Sequence, residues 1–129
     1  MTALPITLIT ASILGIMFIW LSARTILARF KHNALIGDMG NTEMTFAMRT
    51  HGNFTEYAPI FLILLGLLEF SAANSTALIA LAAIFIVARL LHVPGMGQDA
   101  NLKLRQAGIA GSFLAIAAAS FYGLFIALS

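Results

Sequence analysis

Four long apolar stretches, separated by short polar segments, constrain the fold of this chain more than any other feature. A membrane-spanning helix needs roughly 20 residues to cross a hydrocarbon core about 30 Å thick, and each stretch is long enough to do so. The sequence therefore predicts an all-α integral membrane four-helix bundle, formed as a single domain over residues 1–129. The stretches run from Pro5 to Leu27, from about Phe46 to Ser71, from Thr76 to Val93 and from Leu102 to Leu128.

The composition agrees with a membrane protein and excludes several classes of function. With 60% hydrophobic and 9% charged residues, the chain is too apolar for a soluble domain of this size. It has no cysteine, so any thiol chemistry must use a thiol from another molecule. The seven Lys and Arg residues form no basic run, which argues against nucleic-acid binding. Met1–Leu4 carries no cation and no cleavage site follows it, so we interpret the first stretch as a retained helix and not a signal peptide.

The cations are distributed unevenly between the two ends of the predicted helices. All seven lie where the first helix ends, the second begins, the third ends or the fourth begins. The positive-inside rule makes that end cytoplasmic, which predicts a multi-pass plasma (inner) membrane protein with both termini on the non-cytoplasmic side. Because only short loops connect the helices, we expect any active site to lie at their cytoplasmic ends. The seven are Arg24, Arg29, Lys31, Arg49, Arg89, Lys103 and Arg105.

A polar face on the second helix is the strongest functional signal. Arg49, Asn53 and Glu56 follow one another at helical spacing and point within about 60° of one another, with Tyr57 at the edge of the same face. Such groups cost several kcal/mol in hydrocarbon unless they are paired or hydrated, so they normally face a bundle interior or a watery cavity. The face is therefore predicted either to bind a ligand or to form a polar network that fixes a subunit interface.

Other polar and small residues carry weaker signals. The small residues of the fourth helix, Gly108, Gly111, Ser112 and Ala115, have the spacing that lets membrane helices approach closely. Arg105 can be a charge that only sets topology or a group that acts on a ligand. The three histidines, at positions 32, 51 and 92, lack the close spacing of metal ligands, so no metal site is expected.

Several motifs together resemble the MAPEG superfamily, the membrane-associated proteins in eicosanoid and glutathione metabolism, and specifically its small bacterial branch. The resemblance covers nearly the whole chain, and its second-helix motif is the most specific part. It rests on Arg29, on Gly37-Asp38-Met39-Gly40, on Arg49-x-His51-Gly52-Asn53-Phe54-x-Glu56-Tyr57-x-Pro59, on Ala88-Arg89-Leu90-Leu91-His92 and on Arg105.

The resemblance implies a homotrimer that holds glutathione, its co-substrate, between neighbouring subunits on the cytoplasmic side. It implies that Arg105 stabilises the glutathione thiolate and is the catalytic residue, while a lipophilic acceptor arrives through the membrane lipid. Met96 and Gln106 stand where eicosanoid-forming relatives carry hydroxyl side chains, so a general glutathione transferase or peroxidase is favoured over prostaglandin or leukotriene chemistry. The positions that match glutathione contacts are Arg29, Arg49, Asn53, Glu56, Tyr57 and His92.

The residue types fit this ligand. Glutathione carries two carboxylates, one ammonium group and one thiol, and the chain offers guanidinium groups for the carboxylates and Glu56 for the ammonium group. A thiol with a pKa near 8.5 is mostly protonated at neutral pH, and a nearby arginine lowers that pKa.

Two alternatives remain open. One is a non-catalytic membrane lipid-binding or regulatory protein with the same fold. The other is a small multidrug transporter, since its size class fits, but proton-coupled exchange needs a carboxylate at the centre of a membrane helix. The first helix has no acid and Glu56 lies near a helix end, which argues against a transporter.

Overall fold

The computed structural model describes residues 3–129 and contains four α-helices. Met1 and Thr2, which belong to the segment interpreted as retained, lie outside the described residues. No strand occurs in residues 3–129, and all four helices are long and apolar enough to cross a membrane. The predicted all-α, four-helix class is therefore confirmed. The helices are α1 (Pro5–His32), α2 (Thr42–Phe70), α3 (Ser75–His92) and α4 (Leu102–Leu128).

Helices α2, α3 and α4 begin at asparagine caps, as their sequences favour. The side chain of Asn41 accepts a hydrogen bond of 2.9 Å from the amide of Met44, so α2 begins before its apolar stretch. Asn74 and Asn101 cap α3 and α4 in the same way. These side chains satisfy amides that would otherwise lack a partner at a helix end.

Helix α1 is longer than its apolar stretch. The prediction ended it at Leu27, but it continues to His32, and Asn33 follows with a left-handed φ of 50°. The last turn carries Arg29, Lys31 and His32, and positive charge is favourable at a helix C-terminus. The end of the apolar stretch is therefore not the end of the helix.

Polar contacts at both ends hold α1 antiparallel to α2. At one end, Glu43 of α2 forms ion pairs with Lys31 at 2.7 Å and with His32 at 2.9 Å. At the other end, the carboxylate of Glu69 accepts hydrogen bonds from the amides of Ile6 at 2.8 Å and Thr7 at 2.7 Å. Glu69 thus caps α1 from a neighbouring helix. All Lys and Arg residues lie toward the Lys31–Glu43 end, which we call the cationic end.

The core is built from buried side chains of all four helices, including Leu14 and Leu21 of α1. The rings of Phe61 and Phe85 stack with centroids 4.1 Å apart. A Cβ atom added to Gly108 would lie 2.7 Å from the carbonyl oxygen of Ala88, and one added to Gly111 would lie 2.9 Å from the Ala88 Cβ atom. Helices α3 and α4 therefore approach at van der Waals distance, which confirms the packing predicted from the small residues of α4.

Candidate functional site

Only part of the polar face of α2 points into the four-helix bundle. Arg49 and Glu56 are exposed, while Asn53 and Tyr57 are half-buried. Within residues 3–129 the only ion pairs are those of Glu43, and neither Arg49 nor Glu56 makes a side-chain hydrogen bond there. Two opposite charges on a membrane helix thus lack a partner among the described residues, so their cost is expected to be offset by water, a ligand or another copy of the chain.

Arg89 of α3 is the inward partner of this face. Its side chain is 1% exposed, and its Nη1 atom donates a hydrogen bond of 2.7 Å to Oδ1 of Asn53. Its Nη2 atom donates to the carbonyl oxygen of Gly108 at 3.0 Å and to the hydroxyl of Ser112. The guanidinium carbon also lies 5.5 Å from the centre of the Tyr57 ring, within the range of a cation–π contact. Arg89 therefore connects α2, α3 and α4.

Arg89 belongs to the α3 sequence motif, but it was not among the predicted site residues. One sequence signal could have identified Arg89 as a partner of the polar face of α2. A cation one turn inside the end of a membrane helix needs buried acceptors, and Asn53 is the neutral amide on the polar face of α2.

The bond from Arg89 determines what Asn53 can do. Because its Oδ1 atom accepts from Arg89, the carboxamide presents its NH₂ group to the remaining surroundings. Asn53 is therefore set up as a hydrogen-bond donor, suited to a carbonyl or carboxylate oxygen.

Arg29 is engaged by the loop that follows α1. Its Nη1 atom donates to the carbonyl oxygens of Ala34 at 2.9 Å, Leu35 at 3.3 Å and Gly37 at 3.2 Å. Within residues 3–129 its other nitrogen atoms make no hydrogen bond. The arginine thus supports the loop with one nitrogen, and its contact with a ligand carboxylate stays a prediction.

His92 and Arg105 lie together at the cationic end of α3 and α4. His92 is 3% exposed, and a Cβ atom added to Gly108 would lie 2.7 Å from the His92 Cβ atom. Arg105 lies in the first turns of α4 and is exposed. No hydrogen bond or ion pair within the described part of the chain joins Arg105 to the α2 residues. The chain therefore joins Asn53 to Arg89, buries His92 one turn further along α3, and leaves Arg49, Glu56 and Arg105 at its surface.

The loop between α1 and α2 is held by Asp38. Its carboxylate accepts hydrogen bonds from the Thr45 hydroxyl at 2.6 Å and from the Gly40 amide at 3.0 Å. These bonds, that of Thr45 first, lower the pKa of Asp38 from its ordinary value of 3.8. Gly37 and Gly40 have φ of 66° and 71°, which glycine adopts without strain.

A polar cavity of about 410 Å³ lies between α1, α2 and the α3–α4 connection. Its polar lining includes Arg24, Glu43 and Gln98. His51, on another side of α2, shares a hydrogen bond of 3.0 Å with the Ser22 hydroxyl. Residues 3–129 contain no group of three His, Asp or Glu side chains placed to hold a metal ion.

Comparison with known proteins gives one family. The model of the MAPEG family matches residues 7–125. The inner membrane protein YecN of Escherichia coli K12 is 27% identical over 88 residues, which cover 68% of this chain and 66% of that protein, and YecN of Escherichia coli O6:H1 matches equally. The matched region thus spans just under two thirds of these relatives. No solved structure matches the chain.

Proposed function

Because the chain belongs to the MAPEG family and is a multi-pass inner membrane protein, we propose that it is a glutathione-dependent transferase or peroxidase that acts on lipophilic electrophiles. The observation that carries this proposal is the pair of exposed, unpaired charges Arg49 and Glu56 beside the donor group of Asn53.

These three groups complement a peptide with charged ends. The Arg49 guanidinium suits a carboxylate, the Glu56 carboxylate suits an ammonium group, and the Asn53 amide suits a carbonyl oxygen. Glutathione carries all three. Its charges would satisfy Arg49 and Glu56, which have no ion-pair partner within residues 3–129.

The remaining wall of the site comes from a neighbouring subunit. Arg49 and Glu56 face outward, so a ligand bound there touches whatever covers that surface. In a homotrimer with the cationic end on the cytoplasmic side, glutathione lies between two subunits, and Arg29 and His92 complete the polar surroundings.

Arg105 supplies the chemistry. A guanidinium near the sulfur favours the thiolate, which is the nucleophilic form. In conjugation, the sulfur forms a bond to an electrophilic carbon and the displaced group leaves with its electron pair. In peroxide reduction, the sulfur takes the terminal oxygen, the alkoxide takes a proton, and a second glutathione then gives the disulfide and water.

The decisive experiment measures binding and ionisation separately. Purified protein is titrated with glutathione, and thiolate absorbance is recorded in the ultraviolet. Arg49→Ala and Glu56→Gln are expected to weaken binding at least about tenfold, since each removes a charge-assisted bond. Arg105→Ala is expected to bind but to lose the thiolate signal.

Lys103→Ala is the matched control, because Lys103 is an exposed cation in the same part of α4. If Arg105 only sets topology, both substitutions will behave alike. No binding at millimolar glutathione would contradict the proposal.

A second candidate is a non-catalytic lipid-binding or regulatory protein. An apolar cavity of about 530 Å³ lies between α2 and α4, far from the cationic end, and could hold an acyl chain. Saturable fatty-acid binding without thiolate or turnover would favour this candidate. The cavity is lined by Leu64, Leu67, Leu68, Ser71, Ser120, Gly123, Leu124, Ile126 and Ala127.

A further inference from the structure

The connection between α3 and α4 touches α4 at Arg105. A Cβ atom added to Gly95 would lie 2.3 Å from the backbone nitrogen of Arg105, 2.7 Å from its Cα and 2.8 Å from its Cβ. All three atoms belong to the rigid part of the residue, so no side-chain rotation could relieve the clash. Gly95 is not among the glycines with positive φ, so its missing side chain serves this close approach and not an unusual backbone conformation.

The connection is anchored in the subunit. Val93 and Met96, on either side of the contact, are 7% and 9% exposed. A hydrogen bond of 3.1 Å from the Met96 amide to the Val93 carbonyl oxygen closes the turn that contains Gly95. The backbone at Gly95 is therefore a fixed surface against which the start of α4 rests.

The residue that precedes α4, Asn101, also fixes the start of this helix. The Asn101 side chain accepts a hydrogen bond of 3.0 Å from the Lys103 amide, and the Leu104 amide donates to the Asn101 carbonyl oxygen at 3.0 Å. Asn101 thus orders the turn that carries Arg105.

We infer that Gly95 and Asn101 are positioning residues for Arg105, which hold its backbone at the place where the guanidinium reaches the sulfur of bound glutathione. This inference rests on the proposed function. Arg105 has a long, exposed side chain, and the effect of its charge on a thiol falls with distance. A displaced helix start therefore weakens ionisation of the thiol before it weakens binding by the α2 residues.

The test compares Gly95→Ala with Arg105→Ala in the binding and thiolate titrations. Arg105→Ala is expected to raise the midpoint pH at which the bound thiol ionises. Gly95→Ala is expected to raise the same midpoint by at least half as much. Its dissociation constant for glutathione is expected to stay within about threefold of the unchanged protein, because the α2 residues are not moved.

Two glycines provide controls. A Cβ atom added to Gly97, in the same connection, would meet only the Ala100 Cβ atom at 3.5 Å, so Gly97→Ala is expected to leave ionisation unchanged. Gly111→Ala crowds the Ala88 side chain. It tests whether looser packing of α3 and α4 is enough to raise the pH at which the bound thiol ionises. An equal shift in Gly95→Ala and Gly111→Ala would overturn the inference.

If Gly95→Ala does not fold, substitutions at Asn101 test the same inference. Asn101→Ala removes the cap without any clash and is expected to raise the ionisation pH, and Asn101→Ser, which restores a capping oxygen, is expected to reverse that change. Asn74→Ala removes the corresponding cap of α3 at the opposite end and is expected to cause no shift.

Wild-type ionisation in Asn101→Ala would overturn the inference while the proposed function stands. Absence of both binding and thiolate in the unchanged protein would instead overturn the proposed function, and the inference with it.

Discussion

The Arg89 guanidinium shows how one residue can hold the fold while its neighbours remain available for a ligand. It uses Asn53, Gly108 and Ser112 as acceptors, all within its own subunit. Helical periodicity predicted that Arg49, Asn53 and Glu56 share a face, and the structure divides that face into an inward amide and two outward charges. Helical periodicity gives the direction of a side chain around the axis of its helix. It does not say which neighbouring helix lies in that direction.

This division predicts different effects of substitution along the face. Asn53→Ala removes an acceptor of a buried guanidinium and is expected to lower the free energy of unfolding by about 1 to 3 kcal/mol. Asn53→Asp keeps an acceptor and should lose less. Glu56→Gln is expected to change the ligand-free stability by less than about 0.5 kcal/mol, because no partner within the subunit is lost. Denaturant unfolding in mixed micelles measures all three, and equal losses in Asn53→Ala and Glu56→Gln would contradict the division.

Asp38 predicts a dependence of stability on pH. Its folded-state pKa lies below the ordinary value of 3.8, so its ionised form stabilises the loop above that pH, and this contribution is lost as the pH falls through the lower folded pKa. Asp38→Asn is therefore expected to melt below the unchanged protein at pH about 7, with the difference shrinking below about pH 4. Melting temperatures across this range test the prediction. Asp99→Asn, in the other loop at the cationic end, controls for the loss of charge alone.

At the scale of elements, close backbone contacts explain how α3 and α4 pair. The sequence predicted α4 over Leu102–Leu128, as observed, and identified its small residues. It could not identify their partners, because Gly108 and Gly111 pack on one face of the preceding helix, at Ala88 and His92, and α4's own pattern does not say which face that is. Hydrophobicity also placed the end of α1 too early, because a helix can continue into water where cations stabilise its last turn.

The close contact predicts opposite effects for two glycine-to-alanine substitutions. Gly108→Ala places a methyl group against the Ala88 carbonyl and the His92 backbone and is expected to lower the free energy of unfolding by about 1 to 3 kcal/mol. Gly15→Ala, in the middle of α1, meets nothing within 4 Å and is expected to be neutral or to stabilise by up to about 1 kcal/mol. Unfolding in detergent compares them. Equal free energies of unfolding for the two variants would contradict this prediction. They would show that α3 and α4 can move apart to admit the methyl group without loss of stability.

At the scale of the whole molecule, charge is concentrated at one end of the bundle. The seven Lys and Arg residues lie toward the cationic end, whereas Glu69 caps α1 at the other. Hydropathy was enough to predict four helices that are long and apolar enough to span a membrane, whereas the orientation inferred from loop charge stays a prediction. Neither signal could give the arrangement around Arg89, which depends on contacts between distant parts of the chain.

The charge distribution predicts that both termini lie outside the cytoplasm. Alkaline phosphatase fused after Ser129 is expected to be active, and a green fluorescent protein fused there is expected to stay dark. Fusions after Gly40, in the loop at the cationic end, are expected to give the reverse result. Fluorescence from the fusion at Ser129 would show the opposite orientation.

The origin of the Arg89 partners also has a consequence for assembly. Since Nη1 and Nη2 of this guanidinium already bond to α2 and α4 of the same chain, we expect a subunit to keep its helix packing when it is separated from other copies. Under the proposed trimer, dilution in detergent would then yield separated subunits that keep their helical structure and their melting behaviour but have an incomplete ligand site. Specific activity would fall with protein concentration while the far-ultraviolet spectrum stayed constant, and reconcentration would restore it.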